Sequence, residues 1–125
     1  MVKPRALAIE DDKAIAELYR HVLESLGFET EIIRTGEAAL VRLAGIAPAV
    51  VLLDLNLTSR VSGGDVLYRI RADRRLTRTR VVVITGYPVL ADAVRDRADA
   101  VLIKPVDVKE LSELIERLYP RDRSE

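Results

Sequence analysis

Short runs of apolar residues alternate in this chain with longer stretches in which apolar residues recur every three or four positions. The runs at 6–9, 50–53, 81–84 and 101–103 are wholly apolar, and segment 29–33 alternates polar and apolar residues. The stretches that follow these five segments have helical spacing. Strands that are apolar on both faces belong to parallel sheets covered by helices on both sides. The sequence therefore predicts an α/β fold of (βα)5 type, with a doubly wound parallel sheet of five strands.

The helical segments are bounded by residues that start or stop helices. The first stops at Gly27, and we expect the third and fourth helices over 65–73 and 89–97. The last begins at Asp107, whose spacing to Glu110 is that of a capping box. The expected apolar stripe of the first helix is Ile15, Leu18, Tyr19, Val22 and Leu26, and that of the last is Val108, Leu111, Leu114, Ile115 and Leu118.

Length and composition restrict the class of protein. The 125 residues suit one domain, which we place at 1–119, followed by a polar tail at 120–125. Twenty Lys and Arg balance twenty Asp and Glu, so the domain lacks the basic excess of a nucleic-acid-binding module. No export signal or membrane-spanning run is evident, and we expect a cytoplasmic protein without membrane contact.

Several kinds of catalytic site lack the necessary residues. The chain has no cysteine, which excludes disulfides, thiolate zinc sites and cysteine nucleophiles. Its one histidine, His21, falls in the middle of the first predicted helix, where we expect it to face solvent. A histidine-based triad or a His-rich metal site is therefore not expected.

Polar residues follow four of the five predicted strands directly. Glu10 and Asp11 follow the first strand, Asp54 the third, Thr85 the fourth and Lys104 the fifth. In a doubly wound sheet the carboxyl ends of the strands share one edge, and ligands bind there. We therefore expect three carboxylates, a hydroxyl and an ammonium group to converge.

The charges of this group suggest a metal ion. Three carboxylates and one lysine sum to −2, which a divalent cation would neutralise. Because all the ligands are oxygens, the group suits Mg²⁺, Mn²⁺ or Ca²⁺ rather than zinc. The neutralised site could accept an anionic group, and a phosphoryl group is the natural candidate.

These segments resemble the receiver domain of two-component response regulators, a bacterial phosphorelay module with a flavodoxin-like fold. The similarity covers essentially the whole chain, in the right order and at the right separations. It is carried by four segments: Ala8-Ile9-Glu10-Asp11-Asp12, Val51-Leu52-Leu53-Asp54-Leu55-Asn56-Leu57, Val82-Val83-Ile84-Thr85-Gly86 and Leu102-Ile103-Lys104-Pro105.

The resemblance implies a role for each matching residue. Asp54 is the implied phosphoacceptor, which takes a phosphoryl group from a histidine kinase or phosphotransfer protein. The implied Mg²⁺ ligands are Asp11, Asp54 and the backbone carbonyl of Asn56, with Glu10 acting through water. The implied phosphoryl-binding and switch residues are Thr85, Gly86 and Lys104, and Pro105 is implied to follow a cis peptide bond.

Three positions depart from the family pattern. Val101 stands where an aromatic residue is usual on the fifth strand, so a large ring rotation cannot be the switch. Thr58 stands where proline is common in the family, and the family's loop looks one residue shorter than the loop of this chain. Tyr87 follows Thr85 by two positions, and in the family the residue at this position faces the mouth of the site. We interpret Tyr87 either as a shield and switch residue or as a surface aromatic in a turn.

Two other functions compete with this interpretation. The segment 51–58 resembles the DxDxT motif of haloacid-dehalogenase-type phosphatases, but those need a second aspartate where Asn56 stands, and their acidic pair comes last in the chain. A pseudo-receiver, a binding module that keeps the fold without the chemistry, is disfavoured by the complete set of site residues. We expect no turnover of a separate substrate.

The sequence does not indicate which downstream process the domain controls. We expect a downstream protein to bind the face made by the fourth helix, fifth strand and fifth helix, and a homodimer is left open. The Met1 start favours a single-domain regulator, or the first domain of a longer one, over the terminal receiver of a hybrid kinase.

Overall fold

Five β-α units make up the chain in the computed structural model, which describes residues 2–120. The (βα)5 prediction is confirmed. The strands are β1 (Arg5–Ile9), β2 (Glu29–Ile33), β3 (Val50–Asp54), β4 (Arg80–Thr85) and β5 (Ala100–Ile103). The helices are α1 (Lys13–Ser25), α2 (Gly36–Leu43), α3 (Gly63–Ala72), α4 (Pro88–Val94) and α5 (Val108–Leu118), with a 3-10 turn at Arg74–Leu76.

All strand pairs in the sheet are parallel, and the strand order is β2-β1-β3-β4-β5. The order reverses direction between β1 and β3, which are neighbours although β2 separates them in sequence. Crossover connections on the two sides of this point lie on opposite faces of the sheet. A crevice therefore opens beyond the carboxyl ends of β1 and β3.

Alternate residues of each central strand feed two separate cores. Leu7 and Ile9 of β1 pack on one face with residues of α2, α3 and α4. Ala6 and Ala8 pack on the other face with residues of α1 and α5. Every residue of β3 is buried, because the strand is covered on both faces. The sheet is thereby fixed as a rigid base for the loops at its carboxyl edge.

Two helices differ in length from the sequence prediction. Helix α3 begins two residues earlier than predicted, because Ser62 caps it and forms the complete reciprocal capping box with Asp65. Helix α4 ends at Val94 rather than Arg97. The residues beyond Val94 are exposed or half-buried and offer no apolar stripe to continue the helix.

Two residues of the predicted apolar stripes lie at the surface. Leu18 of α1 is 41% exposed and Val108 of α5 is 40% exposed, whereas Ala16 and Leu23, outside the predicted stripe, are buried. The buried face of α1 is therefore rotated from the predicted one. Asp107 caps α5 by accepting a hydrogen bond from the N–H of Glu110 (3.0 Å).

The remaining expectations concern the termini and the surface. His21 is exposed, as predicted. Within residues 2–120, no helix combines the length and the apolar character that crossing a membrane would require. Of the predicted tail, 121–125 lies outside the described residues.

Candidate functional site

The crevice beside β1 and β3 brings the three predicted carboxylates together. Glu10, Asp11 and Asp54 each place a carboxylate oxygen within 4.8 Å of the others. Glu10 and Asp54 are 1% and 2% exposed, while Asp11 is half-buried at the mouth of the crevice. Acids packed this closely repel one another unless a cation lies among them. The oxygen donors and their charge fit a divalent metal such as Mg²⁺.

Burial and neighbouring charge control the protonation of Glu10. Its Oε2 accepts a hydrogen bond from the N–H of Asp12 (3.1 Å). Burial, with the nearby charge of Asp54 in addition, raises the pKa of Glu10 to about 7. Without a metal, Glu10 is therefore partly protonated near neutral pH, and a bound cation would displace that proton.

Lys104, just after β5, supplies a positive charge next to Glu10 and Asp54. Its Nζ lies 3.4 Å from Oε1 of Glu10 and 3.5 Å from Oδ2 of Asp54. Partial burial alone would lower the pKa of Lys104, but the charges of Asp54 and Glu10 outweigh it and raise that pKa. The ammonium group therefore stays charged beside Asp54. The Lys104–Pro105 peptide bond is cis, the form that the resemblance implies.

Thr58 holds the carboxylate of Asp11 in place. Oδ2 of Asp11 accepts hydrogen bonds from both the backbone N–H (3.1 Å) and the hydroxyl (2.9 Å) of Thr58. The guanidinium of Arg34 donates to the carbonyl oxygen of Asp11 (2.8 Å). Although burial alone would raise the pKa of Asp11, the bonds from Thr58 lower it. Asp11 is therefore ionised and oriented without a metal.

Thr85, at the end of β4, is fully buried and bonded on both sides. Its hydroxyl donates to Oδ1 of Asn56 (2.8 Å) and accepts from the N–H of Tyr87 (3.1 Å). The N–H of Asn56 in turn donates to Oδ1 of Asp54 (2.8 Å). A continuous set of hydrogen bonds thus joins Asp54 to the loop that precedes α4.

Comparisons with known proteins agree on one family. The family model for the response regulator receiver domain matches residues 6–116. The chain belongs to the receiver-domain family of two-component response regulators. Receiver domains of this family act in signalling, and they partner with histidine kinases and downstream effectors.

Individual relatives of this receiver domain support the assignment. The DNA-binding response regulator MtrA of Mycolicibacterium smegmatis is 32% identical over 127 residues, which span 99% of this chain and 54% of that protein. The chain spans about half the length of the curated relatives that it matches.

Solved structures with the same fold include a CheY-like receiver domain from Methylobacillus flagellatus. It has a TM-score of 0.82, is 28% identical, and covers 94% of this chain and 99% of that one. The BeF₃-activated receiver domain of DrrB has a TM-score of 0.83 at 25% identity, over 96% of this chain and 100% of that one. The phosphatase and pseudo-receiver alternatives are not favoured by these matches.

The loop after β3 in this receiver domain is fixed by close backbone packing. A side chain at Gly63 would collide with the carbonyl oxygen of Asp54 and the backbone of Leu55, so only glycine fits there. The hydroxyl of Ser59 accepts from the N–H of Gly36 (2.9 Å) and donates to the carbonyl of Val61 (2.8 Å). The start of α3 is thereby held against the end of β3, which positions Asp54.

The other predicted residues lie just before α4 and on β5. The ring of Tyr87 is 61% exposed at the start of α4, and a side chain at Gly86 would contact nothing within 4 Å. Val101 of β5 is half-buried and packs against the core beneath α4.

Three contributions to the site were missed from the sequence. They are the hydrogen bonds of Thr58 to Asp11, the bond between the side chains of Asn56 and Thr85, and the contact of Arg34 with Asp11. In the sequence, Thr58 stands out only as a departure from the family pattern. Each contact joins residues 23 to 47 positions apart, so no local spacing indicates it.

Proposed function

We propose that Asp54 is the phosphoacceptor of this receiver domain and that the phosphoryl donor is a phosphohistidine on a histidine kinase or phosphotransfer protein. The observation that carries the proposal is the position of Oδ2 of Asp54, 3.5 Å from the ammonium of Lys104 and beside two further carboxylates. A carboxylate oxygen of Asp54 attacks the phosphorus while the P–N bond to the donor histidine breaks. The imidazole leaves with the electron pair of that bond and takes up a proton.

A divalent metal completes the site. Asp11, Asp54 and the backbone carbonyl of Asn56 would hold Mg²⁺ directly, and Glu10 would act through water; Mn²⁺ suits the same oxygen donors. When bound, the ion neutralises the acids and the oxygens of the incoming phosphoryl group. The mutual approach of the three carboxylate oxygens, within 4.8 Å, supports this assignment.

The residues around Asp54 bind the phosphoryl group after transfer. Lys104 pairs with one oxygen, and the hydroxyl of Thr85 bonds another once it leaves Asn56. The backbone at Gly86 follows, because a chain at glycine changes conformation at low cost. Phosphoryl transfer depends mainly on such positioning and charge neutralisation. The domain assists its own phosphorylation and dephosphorylation and turns over no separate substrate.

An apolar hollow beside the site suits docking of the donor protein. It has a volume of about 440 Å³ and is lined by Ile15, Leu18, Tyr19, Lys104, Pro105 and Val106. Because Lys104 borders both the hollow and Asp54, a helix seated there would present its phosphohistidine at the acceptor. The unexpected exposure of Leu18 is consistent with this use.

The downstream partner is proposed to bind the face formed by α4, β5 and α5. Large apolar side chains are exposed there, namely Tyr87, Val89, Leu90, Ile103 and Val108. Clusters of exposed apolar residues mark interaction sites. A second copy of the chain could occupy the same face, and we assign no nucleic acid to this domain. We propose that residues 1–119 form the domain and that 120–125 follow it as a tail. We also propose that the domain acts in the cytoplasm.

Phosphorylation by a small-molecule donor tests the acceptor directly. Incubation with acetyl phosphate and Mg²⁺ should add one phosphoryl group to the intact mass of the chain, and no addition is expected in EDTA. Asp54→Ala should abolish the addition, whereas Asp65→Ala, which removes an exposed acid that caps α3, should retain it. If Asp54→Ala gains the group as the wild type does, another residue is the nucleophile.

A further inference from the structure

A second groove lies at the edge of the sheet opposite the acidic crevice, where β1, β3 and β4 begin. Its volume is about 400 Å³, and three arginines line it: Arg5 at the start of β1, Arg75 in the 3-10 turn, and Arg78 just before β4. No carboxylate is among the described residues that form its wall. Three positive charges therefore line the groove, and the acids that pair with two of them are not part of its wall.

The pairing of the three arginines is incomplete. Arg5 contacts Glu31 (3.0 Å), and Glu31 also binds Arg42 (2.6 Å). Arg75 contacts Asp73 (2.9 Å). Arg78 is exposed and makes no ion pair with any residue between 2 and 120. Its guanidinium is thus available to a ligand.

The sequence around this groove is strongly basic. Residues 69–80 contain six arginines and one acid, although the whole chain is neutral. Arg71 and Arg80 serve the fold, because both bind the carboxylate of Asp99, at 2.7 and 3.5 Å. Arg78 forms no ion pair with residues 2–120, so its charge adds to the local repulsion. A basic segment that includes an unpaired arginine attracts ligands of opposite sign.

The wall offers an anion the guanidinium groups of side chains rather than backbone N–H groups. Converging backbone N–H groups form many anion sites, but those of Ala49 and Thr79 are bonded to the carbonyls of Arg5 and Leu76. Pro4 and Pro48, which also line the groove, have no N–H to offer. What remains is guanidinium groups, which bind the carboxylates of a peptide through paired hydrogen bonds.

We propose that this groove binds an acidic segment of a partner protein. The neutral net charge of the chain argues against a nucleic acid as the occupant, because nucleic-acid binding relies on an extended basic field. The groove and Asp54 lie at opposite edges of the sheet, so one partner can bind here while another reaches the acceptor. This inference does not depend on the function proposed for Asp54.

Fluorescence anisotropy with two labelled peptides tests the proposal. One peptide alternates glutamate and serine, and the other has glutamine in place of glutamate. At low salt the wild-type chain should bind only the glutamate peptide, and added salt should weaken that binding. Arg78→Glu should weaken it about tenfold or more, because like charges then face each other. Amide shift changes on binding should centre on Arg5, Ala49 and Thr79.

Matched controls separate the proposal from general charge effects. Arg60→Glu makes the same change of charge in the loop at the opposite edge and should alter the affinity by less than about twofold. Equal loss in the two variants, or no binding by the wild type, would overturn the proposal. Tighter binding of an oligothymidylate of equal charge would instead identify a nucleic-acid surface. The double variant Asp122→Asn, Glu125→Gln removes two acids that could compete with the peptide for the groove. A large gain of affinity in this variant would assign the groove to the tail of this chain and overturn the proposal.

Discussion

The hydroxyl of Thr85 donates a hydrogen bond to the carboxamide oxygen of Asn56 over 2.8 Å. The same hydroxyl is the group proposed to bind a phosphoryl oxygen on Asp54. It cannot donate its single proton to both acceptors at once. The bond to Asn56 therefore competes with the activated arrangement.

Removing the carboxamide of Asn56 should favour the activated form. Asn56→Ala should lower the beryllofluoride concentration needed for half-saturation by about fivefold, since a net hydrogen bond contributes about 1 kcal/mol. Thr85→Val should raise that concentration, and adding Asn56→Ala to Thr85→Val should change it no further. Weaker beryllofluoride binding by Asn56→Ala alone would show that the bond supports the activated form.

Metal affinity should depend on the orientation of Asp11 by Thr58. Thr58→Val should weaken Mg²⁺ binding about tenfold, the lower range for losing a partner of a metal ligand. Thr58→Ser, which keeps the hydroxyl, should bind Mg²⁺ nearly as the wild type does. Thermal melts report the affinity, because Mg²⁺ at ~100 times its Kd adds about 2.7 kcal/mol to stability. Asp11→Asn should lose this gain, and a full gain in Asp11→Asn would contradict the metal assignment.

The stability of the metal-free protein should fall as pH rises through the range set by Glu10. Its pKa is raised from 4.5 to about 7 by burial, so between these values the folded state holds a proton that the unfolded state has released. Stability therefore declines with rising pH over this interval, by roughly 3 kcal/mol in total from this one group.

Glu10→Gln isolates this contribution of Glu10. In EDTA, urea denaturation should show the variant to be more stable than the wild type at pH 8 and equal to it near pH 4. Saturating Mg²⁺ should reverse the order at pH 8, because only the wild type supplies the carboxylate. Parallel pH profiles of the two proteins in EDTA would rule out a titrating Glu10.

Activation should rearrange the segment from Thr85 to Leu90 and the adjoining α4. The N–H of Tyr87 bonds the hydroxyl of Thr85, so a movement of Thr85 draws this segment with it. We expect Tyr87 to repack near Val101 and Ile103. Amide chemical shifts with beryllofluoride should change through α4 and β5 in the wild type and less in Tyr87→Ala. Tyr68→Ala is the matched control, since Tyr68 is 64% exposed on α3. Shifts confined to the metal site would contradict this switch.

Two glycines should respond oppositely to the same substitution. Gly63→Ala should cost about 3 kcal/mol of folding stability, because its methyl group would overlap the backbone of Asp54 and Leu55. Gly86→Ala should lie within about 0.5 kcal/mol of the wild type, because nothing lies within 4 Å of the added carbon. Chemical denaturation measures both, and equal costs would mean that the contact at Gly63 does not constrain the loop.

The sequence alone determined the fold and the membership of the acidic site. Wholly apolar strands can be buried only between two layers of helices, and residues that end parallel strands must share one edge of the sheet. For that reason the sequence alone groups five residues at that edge: Glu10, Asp11, Asp54, Thr85 and Lys104. Each strand predicted from the sequence also begins and ends within one residue of the observed strand.

Only the tertiary structure decided which of these residues contact one another and how they are charged. The bond between Asn56 and Thr85, the hold of Thr58 on Asp11, and the groove of Arg5, Arg75 and Arg78 join segments far apart in sequence. Helix periodicity also placed Leu18 in the core, whereas packing against the sheet left it at the surface. Such features depend on the distances between side chains after the helices have packed, and a one-dimensional pattern contains no such distances.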